Sequence, residues 1–383
     1  MPEIRRRWDV VCRVVDNYGD AGVAFRLARQ LADEHGAAVT LWIDDPVPLV
    51  RLAPGIDPLA ATTTAYGVTV RRGPGDGAGF APGDVVIDAF GGGLPDAWID
   101  AMARAARPPV WVVLEYLTAE SWADGAHRRP SPEPRTGLAR WYWCPGFTAA
   151  TGGLLREAGL FARRDAFRRD PAARKATLAS IGTEAPPDAR VALLFCYPTP
   201  ALPPLLDAWA DGDAPVVALV PQGVAVDAID RWTGGRVPHP GAPFVRGALA
   251  LASVPFVPQA AFDELLWSCD LAIVRGEDSF VRAQWAAIPF AWHAYPQPDG
   301  AHHAKVAAFL DLHLGAAPPG PAADARRFTE ALNRGDGPGL AAAWPPFDRA
   351  RAALADHRRA WADALASRPD LATALVEFAR GRL

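Results

Sequence analysis

No apolar run in the 383-residue chain is long enough to cross a bilayer. Its start, MPEIRRRWDVV, lacks the apolar core and the cleavage site of a secretory signal, so the expected compartment is the cytoplasm. Cysteine is scarce. Cys12, Cys144, Cys196 and Cys269 stand far apart, form no CxxC pair and have no histidine cluster beside them. That excludes the usual zinc spacings and points to reduced, buried thiols. Neither sign of charge is in excess: 39 Lys+Arg against 43 Asp+Glu leave a net charge of −4, which argues against nucleic-acid binding by bulk charge. Internal repeats, low-complexity tracts, a GxGxxG fingerprint and a P-loop are all missing, so neither dinucleotide nor ATP binding follows from a motif.

What is present reads as alternating strands and helices. At this length, with half of its residues hydrophobic, the chain exceeds one ordinary core and two domains are expected. Trp8–Val15 is a strand-like run rich in β-branched residues, Val23–Leu31 has helical spacing, and Ala37–Ile43 reads as the next strand. The turn after the first strand, Asp16-Asn17-Tyr18-Gly19-Asp20-Ala21-Gly22, sets Asp16 and Asp20 where open α/β sheets hold their ligands. The same two residues also suit structural roles, Asp16 as a turn former and Asp20 as a helix N-cap.

Further strands are expected at Val68–Val70, Asp84–Ala89 and Val110–Leu114. Gly91–Gly93 either admits a ligand or forms a flexible turn, and Tyr116, Trp122, His127 and Pro145–Thr148 place aromatics where they could line an acceptor groove. Residues 151–187, rich in Arg and Asp, read as a hinge plus a surface helix. A second α/β half opens with the strand Val191–Tyr197 and continues through Val216–Val220, and the segment Asp348–Leu383 reads as helical and able to return to the first half. The expected fold class is therefore α/β, with two facing Rossmann-like domains and a cleft between them. The expected boundaries are 1–155 completed by 360–383, a hinge at 156–187, and 188–359.

The chemistry concentrates in Ser268–Gln297. Two short apolar runs, Leu271–Val274 and Pro289–Trp292, flank a helix that starts at Arg275-Gly276-Glu277-Asp278-Ser279. Gly276 allows a tight turn, and the three residues after it suit a first helical turn. A helix tip reached through a glycine turn presents unpaired N–H groups to phosphate, and Arg275 adds a permanent positive charge beside them. A well-capped βαβ unit would look similar. The density of Arg282, Gln284, Trp285, Trp292, His293, Tyr295 and Gln297 around it favours a nucleotide or nucleotide-sugar site.

Four collinear segments cover nearly the whole chain: DNYGDAGVAFRLARQL (16–31), LEYLTAESW (114–122), PGFTAATGGLLRE (145–157) and RGEDSFVRAQWA (275–286). Together they resemble the elongation factor P arginine rhamnosyltransferases, EarP. The resemblance implies a GT-B glycosyltransferase that moves L-rhamnose from dTDP-β-L-rhamnose to one arginine of elongation factor P (EF-P). It further implies inversion at the anomeric carbon, no metal or other cofactor, and activation of EF-P for rescue of ribosomes stalled on polyproline. EF-P and dTDP-rhamnose are the expected partners, with no nucleic acid and no membrane. Asp16, Asp20 and Glu277 fall on the family's catalytic acids, Phe195 on its thymine-stacking aromatic, and Tyr197, Gln259, Asp278 and Ser279 on its nucleotide contacts. The donor-binding set extends to Asn17, Tyr18, Gly19, Arg275 and Gly276. Ala21 and Ala287 depart from the pattern, standing where a branched aliphatic and a glycine are expected.

An arginine acceptor is a demanding nucleophile, because guanidinium stays protonated up to a pKa above about 12 and has no free lone pair. Carboxylates can orient it through fork-like hydrogen bonds and take its proton as the C–N bond forms. The expected division of labour has Asp20 as base or orienting partner, Asp16 supporting it or pairing the guanidinium, and Glu277 touching the donor sugar or ribose. Two other readings would share the donor half: a GT-B enzyme with a small-molecule or glycan acceptor, and a non-catalytic protein that binds a nucleotide sugar or EF-P. The second would not need Asp16 and Asp20 as acids. His293, His302 and His303 are expected to be satisfied structural histidines.

Overall fold

The structure, a computed structural model, describes residues 5–73 and 80–383. Residues 1–4, where the segment read as lacking a signal peptide begins, lie outside the described residues. The chain divides into two compact units, Met1–Ala158 with Leu365–Leu383, and Gly159–Ala364.

The first unit holds β1 (Arg7–Cys12), α1 (Asn17–His35), β2 (Ala38–Ile43), α2 (Val47–Leu52), β3 (Thr62–Ala65), β4 (Val68–Arg72), β5 (Val85–Ala89), α3 (Asp96–Arg104), β6 (Val110–Leu114), α4 (Trp122–Ala126), β7 (Pro130–Pro132) and β8 (Ala139–Trp143). One eight-stranded sheet results, ordered β3-β4-β2-β1-β5-β6-β8-β7. Strand β1 pairs in parallel with β2 on one side and with β5 on the other, while the edge strands β3 and β7 run antiparallel to their neighbours. The chain leaves β1 towards β2 and β4, then returns across it to β5. Such a reversal of strand order opens a crevice at the carboxyl ends of β1 and β5. The central strands are mostly apolar, with Val10, Val11 and Cys12 in β1 and Val85, Val86 and Ile87 in β5 all buried, because a parallel strand is covered on both faces.

In the second unit α5 (Leu160–Arg169) and α6 (Pro171–Ser180) come first, so the residues read as a hinge carry helices and lie in this unit from Gly159 onward. Then follow β9 (Arg190–Leu194), α7 (Leu202–Ala210), β10 (Val216–Pro221), α8 (Val226–Thr233), β11 (Phe244–Arg246), β12 (Leu249–Val254), α9 (Gln259–Trp267), β13 (Leu271–Arg275), α10 (Asp278–Ala286) and β14 (Phe290–His293). Their sheet, β11-β12-β10-β9-β13-β14, repeats the reversal, now between β9 and β13. The helices α11 (Ala301–Leu314), α12 (Pro319–Arg334), α13 (Gly337–Ala353) and α14 (Ala355–Ala366) follow. The chain re-enters the first unit within α14 and ends in α15 (Leu371–Arg380), whose Leu371, Leu375 and Phe378 join the core beneath α1.

Candidate active site

In the first unit the site lies where β1 gives way to α1. The helix starts at Asn17, earlier than the apolar spacing of Val23–Leu31 suggests, and this corrects the reading of Asp20 as a cap: the N-cap is Asp16. The cause is local. Asp20, only 2% exposed, turns its Oδ2 back to accept the amides of Val15 and Asp16, each at 2.8 Å. A carboxylate there satisfies N–H groups that precede the helix and meets the positive end of its dipole. Asn17, at φ +23°, tolerates the entry geometry as asparagine does. Gly19 has a packing reason: a Cβ on it would lie 2.6 Å from Asp16 Oδ2, so any other residue would push that carboxylate out of its place. Tyr18 stands beside it, half-buried, on the same helical turn.

More acids collect at this edge. Asp44 follows β2 and accepts the amides of Val14 at 2.9 Å and Asp45 at 2.8 Å. Asp88 sits on β5 opposite Val11 and accepts the Gly93 amide at 3.1 Å. Burial pushes the Asp88 carboxyl up to about 6, although the Gly93 bond and Arg13 pull it down. Glu115, after β6, is raised by burial as well. The Cys12 thiol is pushed up chiefly by burial and further by the charges of Asp20, Asp44 and Asp88. Such an edge suits a cation. Asp44 and Asp88 escaped the sequence reading, although an acid inside the apolar run VVIDA was a usable sign.

The glycine run beside this edge is a close turn, with Phe90, Gly91 and Gly93 all at positive φ and a Cβ on Gly92 due 3.1 Å from the Arg13 side chain. Among the groove aromatics, Tyr116 stacks on Phe90 at 4.7 Å and Trp122 is exposed. His127 is structural: its Nδ1 accepts the Cys144 amide at 3.2 Å, and burial lowers it to about 4.

The corresponding edge of the second unit combines an arginine, two aromatic rings and a helix tip. Phe195 and Tyr197 follow β9, and Arg275 ends β13. The Arg275 guanidinium lies 4.5 Å from the Phe195 ring centre and 5.0 Å from that of Tyr197, and it donates to the Cys196 carbonyl at 3.3 Å. One face of Phe195 is thus covered by a cation. Phe262, on α9, stands 5.8 Å from Phe195.

Gly276 takes φ +56° and its carbonyl accepts from Trp292 Nε1 at 2.9 Å, a turn that aims the N-terminus of α10 out of the sheet. Glu277 is the N-cap of α10 and makes no side-chain capping bond. The Ser279 hydroxyl bonds both backbone groups of Arg275, accepting from its amide at 3.1 Å and donating to its carbonyl at 2.5 Å, which ties the helix tip to the end of β13. Gln259, at the start of α9, donates to Asp278 Oδ2 at 3.2 Å. Here Phe195, Tyr197, Gln259, Arg275, Asp278 and Ser279 come together on strand ends and helix tips of one sheet.

The histidines behind this edge fill structural positions where they are buried. His293 Nδ1 accepts the Tyr197 amide at 3.3 Å, and burial, before the charges of His302 and Arg275, lowers its pKa to about 4. His302 Nδ1 accepts the Gln297 amide at 3.1 Å, while His303 is exposed. Among the described residues no group of three or more His, Cys, Asp or Glu is arranged to hold a metal ion, and no helix is long and apolar enough to cross a membrane.

Comparison with known proteins gives the family and the fold. The family model described as elongation factor P (EF-P) rhamnosyltransferase EarP matches residues 8–380. A protein-arginine rhamnosyltransferase of Pseudomonas putida is 46% identical over 380 residues, covering 99% of this chain and 100% of that protein. A solved structure described as the structural basis for EarP-mediated arginine glycosylation of translation elongation factor EF-P aligns with a TM-score of 0.69 at 35% identity, over 99% of this chain and 100% of that one. The calicheamicin glycosyltransferase CalG4, at 15% identity and a TM-score of 0.50 over the whole of both chains, shows the fold alone. The two Rossmann-like units are those of a GT-B glycosyltransferase, and the chain belongs to the EarP family of protein-arginine rhamnosyltransferases.

Proposed function

We propose that this enzyme transfers L-rhamnose from dTDP-β-L-rhamnose to one arginine side chain of EF-P, with inversion and without a metal. The observation that carries the reading is Asp20, a buried carboxylate held by two backbone amides at the switch point of the first sheet. With Asp16, Asp44 and Asp88 it makes an edge suited to a guanidinium, whereas Arg275 and the tip of α10 make one suited to a diphosphate.

In this mechanism an arginine Nη loses a proton to Asp20 and its lone pair forms a bond to the sugar C1. The C1–O bond breaks, and its electron pair leaves on the diphosphate of dTDP. A single displacement of this kind inverts the anomeric centre. The second unit stabilises the leaving group: Arg275 and the α10 amides meet the growing negative charge, a role that a bound cation fills in other enzymes. Asp16 supports Asp20 or pairs the guanidinium, and Glu277 contacts the donor sugar or ribose. Asn17, Tyr18 and Gly19 hold the first-unit turn against the donor, and Gly276 shapes the helix tip. Tyr197, Gln259, Asp278 and Ser279 bind the nucleotide, and Phe195 stacks its free face on thymine. A translation factor as acceptor places the reaction in the cytoplasm, where the modified EF-P would relieve ribosomes stalled on polyproline. Incubation with purified EF-P and dTDP-rhamnose tests donor, acceptor and chemistry together. The intact EF-P mass should rise by one deoxyhexose located on an arginine, and an unchanged mass with active donor would overturn the proposal.

A further inference from the structure

Two hydrogen-bonded rungs join α9 to α10. At their amino ends Gln259 Nε2 donates to Asp278 Oδ2 at 3.2 Å. One helical turn on, Arg282 Nε donates to Asp263 Oδ1 at 2.6 Å and its Nη2 donates to Asp263 Oδ2. The partners of both rungs are 19 residues apart in sequence, so the two helices run parallel and in register. The second rung is shut away from water, with Arg282 0% and Asp263 7% exposed.

Stability alone is a poor reason for this pair. Desolvating two charges costs about as much as their attraction returns, and well-packed apolar side chains of similar volume hold helices together as firmly. An apolar contact, however, tolerates sliding, whereas a bidentate guanidinium–carboxylate fork is satisfied in one alignment only. We infer that Arg282 and Asp263 are positioning residues that fix the register of α9 on α10 and thereby set Gln259 against Asp278 for the nucleotide. The inference rests on the proposed donor site in the second unit. Loss of the fork lets α9 shift along α10, so the nucleotide is bound less well while the chemistry at the sugar is untouched. The effect belongs in KM and in the dTDP dissociation constant, with kcat nearly preserved.

The test compares dTDP affinity by calorimetry, thermal stability and steady-state kinetics in the full-length enzyme. Arg282→Met with Asp263→Leu should melt within a few degrees of the parent or higher, yet bind dTDP at least tenfold more weakly. Gln259→Ala should weaken dTDP binding in the parent and hardly further in that double variant, since the rung it removes is already displaced. Arg282→Lys keeps the charge without the fork, should fall between the two, and decides the matter if the double variant does not fold. Unchanged dTDP affinity in a folded fork variant, or an equal cost of Gln259→Ala in both backgrounds, overturns the inference while the donor site stands. Failure of the parent enzyme to bind dTDP overturns the donor site itself, and the inference with it.

Discussion

The two units share a topology and differ in the groups that gather at their working edges. In each, the strand order reverses beside the unit's first central strand, at β1/β5 in one and β9/β13 in the other. The first edge carries Asp16, Asp20, Asp44, Asp88 and Glu115; the second carries Arg275, two aromatics and a helix tip that itself bears Glu277 and Asp278. The backbone supplies the same crevice twice, and the few residues after each strand decide which groups line it. A reaction between a guanidinium and a sugar diphosphate needs one edge of each kind.

The largest effect that would test this contrast is at Asp20. Asp20→Asn keeps an oxygen for the Val15 and Asp16 amides but removes the proton acceptor, so turnover should fall by roughly 10²–10⁴. Affinity for dTDP should stay within about twofold if the units divide the labour as proposed, since the substitution leaves the tip of α10 intact. Mass spectrometry of EF-P and calorimetry read the two quantities separately. A matching loss of dTDP affinity would break the comparison.

The second test is pH, which should act on Asp88 and His293 in opposite senses. Asp88 has a folded pKa raised from 3.8 to about 6, so its neutral form favours folding: the penalty is absent below its unfolded value and complete above about pH 6. Asp88→Asn should then stabilise the first unit by up to about 3 kcal/mol at pH 8, with the gain vanishing near pH 4. His293 has a folded pKa lowered from 6.5 to about 4, so its contribution is fully present above pH 6.5 and is lost as pH falls through about 4. His293→Gln, which can still accept the Tyr197 amide, should flatten the acid limb of a melting-temperature profile. Parallel pH profiles for both variants would show that the local burial of these groups is not what differs.

A smaller effect sharpens the anionic side. Phe195→Ala should raise the dTDP dissociation constant about tenfold, the scale of one lost base stack. Because Arg275 also rests on that ring, the loss should shrink at high salt if cation placement dominates and persist if stacking does. The smallest effect concerns Ala287, which closes α10 at φ +49°, where the resemblance leads one to expect glycine. Ala287→Gly should stabilise the second unit by about 0.5–1 kcal/mol in denaturant titrations. A neutral result would mean that Arg164 and Arg168, which donate to the Trp285 and Ala286 carbonyls, already hold that helix end.

Much of the fold could be read directly. Continuous apolar runs such as Val110–Leu114 and Leu271–Val274 are strands because parallel strands are buried on both faces, and the spacing of Gly276, Asp278 and Ser279 predicts the start of α10. Strands β3, β7, β8, β11 and β12 were not anticipated. The edge strands among them are short and partly polar, and Leu249–Val254 looks no more like a strand than many alanine-rich stretches of this chain. The true start of α1 was hidden too, since Asn17-Tyr18-Gly19 has turn chemistry until the Asp20 carboxylate is known to fold back on it.

By itself the sequence determined which residues could carry the chemistry, because carboxylates in the 16–20 segment and a glycine-led helix start at 275–279 are local signals. Only the tertiary structure decided that Asp44 and Asp88 gather with Asp20 around Cys12, that Arg275 lies across Phe195 and Tyr197, and that Arg282 clamps Asp263 one turn behind Gln259 and Asp278. The physical reason is separation along the chain. Charges and forks act over a few ångströms, and the residues that meet here come from strand ends and helices far apart in sequence, brought together by the order of the strands.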